Sequence, residues 1–545
     1  MNVSIAYKAL LPGAFLLLAT LPAAAQTATS KGAACPRPAA GSDVLPPPSL
    51  YSAGGVLTVN ANYQTALDAQ SRTLFCISTT SGDESPVLHV LPGDTLKLTL
   101  TNTVPPPKRN TPTQTVSTST NTCGSATMTE TSTNIHFHGT NTSPACHGDQ
   151  VIHTIVNSGE TFTYSMPIPA DEPAGLYWYH PHVHGIAEAA VQGGATGTII
   201  VEGIERFYPD LAGLPERVLI LRDQVVAPGT PAPGGAVPSW DVSLNYVPVV
   251  YPASTPAVIR MAGHGKEFWR VANSSADSVF DLQVLYDGVV QTLDVRVLDG
   301  VPTGSQDGTR TGKAVKADHI LMATGARAEF VIPPPPAGTK SAILRTNNID
   351  TGPIGDNDPT RILASLSFDD AKAQALRTIP ASTGPAGPQR FEGLANSGVT
   401  ATRKLYFSEV LSDPTNPASP TNFYITVDGA QPVLFDPTNP PAITTKVGAV
   451  EDWTIENRAG EVHEFHMHQI HFLLRATNGQ PVALDQHQLL DTVNIPYWDG
   501  KGPYPSVKVR MDFRGMIAGD LVYHCHILGH EDNGMMAIIR VAAGP

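Results

Sequence analysis

The chain has 545 residues, 48 acidic against 34 basic side chains and a formal net charge of −14. No basic stripe is available to displace counterions from phosphates, which excludes a nucleic-acid partner. With 49 prolines, 47 glycines and many short Val/Ile/Thr/Leu runs, the composition excludes a long-helix protein and predicts an all-β chain with frequent turns.

The N-terminus carries Lys8, an apolar run over 10–21 and Ala23-Ala24-Ala25 before Gln26, the charged, apolar, A-x-A order of a secretory signal peptide over 1–25. That run is too short to span a bilayer, and no second stretch of about 18 apolar residues follows. An exported protein, periplasmic or secreted, without stable membrane insertion is expected. Cys35, Cys76, Cys123 and Cys146 lie in the N-terminal third and can pair as two bridges in such a compartment. Cys123 with Cys146 is the favoured pair, although sequence does not fix the connectivity. Cys525 is left over, between two histidines.

Candidate strands follow at 96–101, 161–166, 198–202, 217–221, 268–272, 404–409, 452–456 and 536–541, short and separated by turn signals as in sandwiches or barrels. The stretch 111–133, almost all Thr, Ser and Asn, reads as a mobile surface loop. A change near 203–209 ends a first unit, and 369–394, containing "IPASTGPAGPQRFEG", reads as a linker. The expected units are 26–205, 206–370 and 395–545, with the linker at 371–394. Asn141 and Asn273 stand in N-x-[ST] sequons.

The first and last units share a pattern. "GLYWYHPHVHG" from Gly175 and "GDLVYHCHILGH" from Gly519 both place Tyr-His-x-His at one offset from a glycine, and each is followed by a Gly-containing turn and an Ile/Val strand. "TNIHFHG" (Thr133 to Gly139) and "VHEFHMHQIH" (Val462 to His471) are the matching earlier elements, whereas the middle unit has no His-x-His.

On a strand, side chains alternate faces, so both histidines of His-x-His point the same way. One such pair is more often two spare histidines than a site. Four of them, His136/His138, His180/His182, His466/His468 and His524/His526, in matched pairs from two similar modules, point to one polynuclear metal site where the modules meet. If His524 and His526 face that cluster, Cys525 faces the opposite side. There, with His530, Met535 and an imidazole from His463, it forms the His, Cys and distant Met set of a blue-copper centre.

These four elements resemble the copper-binding motifs of the multicopper oxidases, especially the bacterial three-domain, laccase-like members, over nearly the whole mature chain. The resemblance implies three consecutive cupredoxin-like Greek-key β-sandwich domains, the middle one copper-free, and four copper ions. By motif position it implies that His463, Cys525 and His530 hold a type 1 copper with Met535 axial. His136 and His466 would hold a type 2 copper, and His138, His180, His182, His468, His524 and His526 a type 3 pair. Electrons would enter at His530 and pass along Cys525, four of them reducing one O2 to water. Asp149 in "HGDQV" and Glu531 after His530 are candidate proton relays, against the bland reading of both as turn or surface acids.

His184 and His471 flank the motifs without fitting the ligand pattern, and His89, His147, His153, His264, His319 and His487 read as surface or satisfied structural residues. Met467 and Met536 read as core packing. No methionine-rich segment is present to select Cu(I), so a phenolic or related aromatic donor is favoured over Cu(I), Fe(II) or Mn(II). A copper-carrying cupredoxin without catalysis is the reading from another class, disfavoured because all twelve proposed ligands are present. A monomer is expected.

Overall fold

In this computed structural model the described residues are 35–544, apart from 108–113, 116–121, 227–236, 264, 305–311, 383–386, 388–389, 417, 484–486 and 516. The leader expected at 1–25 and His264 lie outside them. Every candidate strand forms, generally with an added residue at one or both ends: 96–101 lies in Thr95–Asn102 and 452–456 in Val450–Asn457. The longest extension at one end is in Glu216–Val225, which runs past 221 through Arg222-Asp223-Gln224 to Val225. That polar extension is tolerated because Arg222 and Asp223 find buried partners. Arg222 donates to Thr196 Oγ1 (2.7 Å), and Asp223 accepts the N–H groups of Ala276, Asp277 and Ser278. Among the described residues the α-helices are short, Ala187–Gln192 and Leu528–Asp532.

One sheet pattern recurs three times. In the first unit Gly197–Val201 runs parallel to Val87–Val90 and antiparallel to Gly175–His180, which pairs antiparallel with His136–His138. In the last unit Met536–Ala542, Ile443–Lys446, Gly519–Cys525 and His463–Met467 repeat that order and those directions. The middle unit repeats them with Arg361–Phe368, Ala257–Met261, Ala342–Thr346 and Phe280–Tyr286. Each facing sheet has a central parallel pair flanked by antiparallel strands, as in Val56–Leu67 beside Thr95–Asn102. The fold is therefore all-β, three consecutive cupredoxin-like Greek-key sandwiches.

Alternation builds each core. Leu57, Val59, Ala61 and Tyr63 of Val56–Leu67 point inward, and each fully buried aliphatic or aromatic side chain contributes about 1.5–3 kcal/mol. Gly175–His180 is buried on both faces, because its outer face meets the middle unit, where Leu176 packs on Val218, Ile220 and Ala272. The Leu176 N–H donates to Glu329 Oε1 (2.7 Å), and Arg270 pairs with Glu329 and Glu216 behind it. The segment expected as a linker is pinned rather than free, since Ile379 pairs with Leu214 and is buried, as are Phe391 and Leu394.

The stretch expected as a mobile loop is ordered in its described second half. Cys123–Gly124 pairs with Thr154–Ile155, and Met128, Ser132 and Thr133 are buried, because Ser132 donates to Asn157 Oδ1 and Thr133 pairs with Val156. Its Ser/Thr hydroxyls satisfy one another and the backbone, which composition alone does not reveal. The four N-terminal cysteines form two disulfides, Cys35–Cys76 and Cys123–Cys146, with Cα–Cα distances of 5.6 and 5.7 Å. Asn141 and Asn273 are buried, so neither sequon is open to a glycan.

The seam between the first and middle units leaves no room at Gly175, where a Cβ would stand 2.4 Å from the Gly300 carbonyl oxygen. Gly175→Ala is expected to lower the unfolding free energy by about 1–3 kcal/mol through overpacking. Denaturant unfolding would show it, and an unchanged midpoint would mean that the seam is loose.

Candidate metal centre

Strand register brings the histidines together. His180 lies opposite His136 across the first unit's strand pair, and His524 lies opposite His466 in the last. The two halves then meet face to face: the His136 ring stacks on His468 with centroids 3.7 Å apart, and His138 on His466 at 4.0 Å. His136–His138 is wholly strand, whereas His182, His468 and His526 stand just beyond a strand end. The simple alternation rule therefore does not describe those three pairs. Backbone hydrogen bonds past the strand ends turn the outer histidines inward instead: His182 N–H donates to Asn134 Oδ1 (2.7 Å), His468 N–H to Val522 O (3.1 Å) and His526 N–H to Glu464 O (3.0 Å).

All eight imidazoles are buried. The Nε2 atoms of His182, His468 and His524 lie 3.1–3.3 Å apart, the spacing of three nitrogens that each stand roughly 2 Å from one ion. The Nε2 atoms of His136, His138, His180, His466 and His526 are buried without a hydrogen-bond partner. Four of these rings have Nδ1 facing an oxygen: His136 with Asp149 Oδ1 (3.0 Å), His180 with Pro181 O (2.8 Å), His466 with Asp491 O (2.8 Å) and His526 with Thr324 Oγ1 (3.1 Å), whereas His138 Nδ1 faces the Arg327 guanidinium (3.2 Å). Proton on Nδ1 and lone pair on Nε2 is the tautomer a metal needs. Burial, reinforced by neighbouring imidazoles, holds these histidines well below their ordinary pKa, so they are neutral. The donor set fits a cluster of borderline-soft metal ions.

A second convergence lies on the other face of the same strand. Cys525 Sγ is 3.7 Å from His463 Nδ1 and 3.7 Å from His530 Nδ1, and those two nitrogens are 3.0 Å apart. Burial raises the Cys525 thiol well above its ordinary pKa, so a bound ion would have to displace its proton. The Glu464 N–H donates to the sulfur (3.3 Å). Met535 is buried beside it, and its carbonyl accepts the Cys525 N–H (3.1 Å). Phe423 stacks on the His530 ring at 4.3 Å.

Two family-model matches, both described as multicopper oxidase, cover residues 120–205 and 414–545, the segments that carry these histidines. Both halves of the histidine pocket therefore lie in segments that match multicopper oxidase domains. The chain is 23% identical over 394 residues to the multicopper oxidase mco of Staphylococcus aureus, an overlap covering 71% of this chain and 72% of that one. It is 22% identical to a laccase of Bacillus subtilis, over 68% and 71%. Among solved structures, multicopper oxidases of Campylobacter jejuni and Aquifex aeolicus each superpose with a TM-score of 0.66 at 19% identity, covering 92% of this chain and 96% and 100% of theirs. They share its fold.

Around these centres the chain buries two acids, Asp149 and Glu531, for which relay and turn roles are the alternatives. Asp149 accepts the Phe137 N–H (3.0 Å) and the Gln469 amide as well as facing His136, and burial pushes its carboxyl up to about 7. Glu531 is fully buried with both oxygens unpartnered, 3.9 Å from His182 Nδ1 and 4.0 Å from His184 Nδ1. His471 is buried and bonds the Asp299 carbonyl (2.7 Å). His89, buried, pairs with Glu202, whereas His319 is exposed and pairs with Asp281. Met467 and Met536 pack in the core. Sequence reading missed Thr324, Arg327, Glu464 and Asp491. Arg327 is fully buried, bidentate to Asp491 (2.8 and 2.7 Å) and 3.2 Å from His138 Nδ1. These residues belong to no histidine pair, although Glu464 sits inside the "VHEFHMH" element.

Asp149→Ala removes the acceptor that orients His136. The metal held there is expected to dissociate roughly 10–100-fold more readily. Metal content after dialysis against a competing chelator checks this, and unchanged retention would mean that Asp149 does not orient the ring.

Proposed function

We propose that this protein is a copper-dependent oxidase that takes electrons singly from a reducing donor at His530 and reduces O2 to two waters with four of them. Cys525 carries this reading: its sulfur joins His463 and His530, while its chain neighbours His524 and His526 point into the eight-histidine pocket. His463, Cys525, His530 and Met535 would hold one ion. His136 and His466 would hold a second, and His138, His180, His182, His468, His524 and His526 a pair. Copper bound in these sites would supply one-electron redox chemistry and a place for O2.

The chain supplies the rest. From sulfur to cluster the electron path is the backbone of two adjacent residues, shortened where His524 Nδ1 donates to the Cys525 carbonyl (2.8 Å). The pocket excludes bulk water, since all its imidazoles are buried. Four protons are needed per O2, and Asp149 and Glu531 are buried carboxyls beside the pocket that are not held in an ion pair with arginine, as Asp491 is; one stands next to His136 and one next to His182. Two disulfides support export, as does the leader-like N-terminus. Among the described residues, no helix is long and apolar enough to cross a membrane.

The rim of His530 bears on the donor. Glu461 Oε1 lies 3.4 Å from His530 Nε2, Glu409 is hydrogen-bonded to Glu461, and the charged groups acting on His530 are Glu409, Asp356 and Glu188. Burial and the Glu461 contact push Glu409 up to about 8, so the pair shares a proton; this acidic wall favours a cation that can displace that proton, a low-valent metal ion, over a neutral phenol. The Campylobacter jejuni protein is described as a metallo-oxidase. A phenolic donor is the second reading, supported by Phe423, which offers an aromatic face beside His530, and by Glu461, a carboxyl placed to take a phenol proton.

Oxygen uptake by the copper-loaded chain, with Fe(II), Cu(I) and 2,6-dimethoxyphenol as donors, tests both levels. Cys525→Ser is expected to abolish the visible thiolate-to-copper band and donor oxidation together; a serine variant that still turned over would sink the electron path. Glu409→Gln should lower kcat/KM for the metal ion by about tenfold, roughly 1.4 kcal/mol. An equal loss with the phenol would remove the preference for a cation.

A further inference from the structure

Among the described residues the middle sandwich contributes no histidine to the pocket, yet it touches the pocket's far wall. The turn between Ile320–Met322 and Arg327–Ile332 carries Thr324 and Gly325 into contact with His526 and His138. Thr324 Oγ1 lies 3.1 Å from His526 Nδ1 and 2.5 Å from the His526 carbonyl, and it also bonds the Glu464 carboxyl. The Thr324 N–H reaches the same carboxyl at 3.1 and 3.0 Å. Glu464 in turn accepts the His526 N–H on its own carbonyl (3.0 Å). The ring of His526 is thus gripped at Nδ1 and at its backbone, while Nε2 faces the pocket with no partner.

The hydroxyl has one proton to give. If it donates to Glu464 or to the His526 carbonyl, its lone pair accepts from His526 Nδ1–H, and the imidazole is left with its free lone pair on Nε2. Gly325 completes the wall. Its φ of +80° suits glycine, and a Cβ there would stand 2.9 Å from both His138 Nε2 and His526 Nε2. Those are two of the nitrogens that would share an ion, so a side chain at 325 would crowd the place of the metal.

Resting on the copper reading above, we propose that Thr324 and Gly325 make the middle sandwich a positioning element of the cluster. Thr324 fixes the tautomer and angle of His526, and Gly325 keeps the space between His138 and His526 open. The far half of the cluster, held by His138, His180 and His526, depends on this turn; the half held by His182, His468 and His524 does not.

The test uses the full copper-loaded chain and compares wild type with Thr324→Val, Thr324→Ser and Gly325→Ala. Copper per chain after dialysis against a chelator, the share of copper visible by electron paramagnetic resonance and the thiolate band are recorded, with circular dichroism of the metal-free forms. In a coupled pair the two copper spins cancel, so loss or displacement of one partner exposes the other. Thr324→Val and Gly325→Ala are expected to keep the thiolate band and the metal-free spectrum, to hold one copper roughly 10–100-fold more weakly and to show a larger visible share of what remains. Thr324→Ser should match wild type. Val and Ala variants that match wild type in both readouts would overturn the proposal, as would a Ser variant as damaged as Val. A Val variant that lost the thiolate band and its metal-free spectrum would assign Thr324 to folding and overturn it too. A wild-type chain that took up no copper would overturn the copper reading itself, and this inference with it.

Discussion

The structure depends on one constraint: eight neutral imidazoles must share a dry space between two sandwiches that are distant in sequence. Cross-strand register sets the pairs within each unit, His136 opposite His180 and His466 opposite His524. The stacks of His136 on His468 and of His138 on His466 set the units against each other. A slip of one residue in either strand pair would turn its histidines to the opposite face. The flanking Tyr179, Phe137, Phe465 and Tyr523 are fully buried in their cores and hold that register.

Without metal this arrangement is costly. Five Nε2 atoms are buried and unpaired, and each such group destabilises a fold by about 1–3 kcal/mol. Protonating the rings would only turn unpaired acceptors into unpaired donors and place several positive charges in one pocket, which is why burial and mutual repulsion keep them neutral. The remaining stability comes from elsewhere: two disulfides in the first unit, the Leu176 seam and the buried Arg270–Glu216–Glu329 and Arg327–Asp491 pairs. The last of these is also part of the pocket wall, so the ion pair that ties the middle unit to the last lies within hydrogen-bonding distance of His138. Stability and site geometry share residues there, and substitutions of Arg327 cannot separate the two.

Much of this was legible in the sequence because the ligand residues are of rare type and come at fixed spacing. His-x-His beside Tyr-His-x-His, twice, needs no structure to be noticed, and the cysteine between two ligands places a second site on the opposite face. The environment of Asp149 and Glu531 was harder to read, since an acid in a turn is ordinarily solvated and nothing local in "HGDQV" or "HEDNG" encodes burial. Thr324, Gly325 and Arg327 were invisible for a different reason. Their short turn has ordinary composition, and its importance arises only when the middle sandwich docks against the other two. Strand lengths show the same limit: 217–221 was read as ending where charged residues begin, but Arg222 and Asp223 find buried partners that lie far away in sequence.

The middle sandwich is then best understood by what it presents at two places. In its repeat of the sheet pattern, Ala342–Thr346 and Phe280–Tyr286 occupy the positions that carry histidines in the other units, and they hold core residues such as Leu344, Leu282 and Val284 instead. With core residues in place of those histidines, the unit places Thr324 and Gly325 against the His138 and His526 rings at one end. Beside His530, Asp277 accepts the Gly529 N–H (2.9 Å), and the charge of Asp356 acts on the His530 ring. Glu188 comes there from the first unit, and Glu409 and Glu461 come from the last. The acidic rim exists only when all three sandwiches are docked, so any affinity of this rim for a cation would be a property of the assembled chain and not of the unit that holds His530.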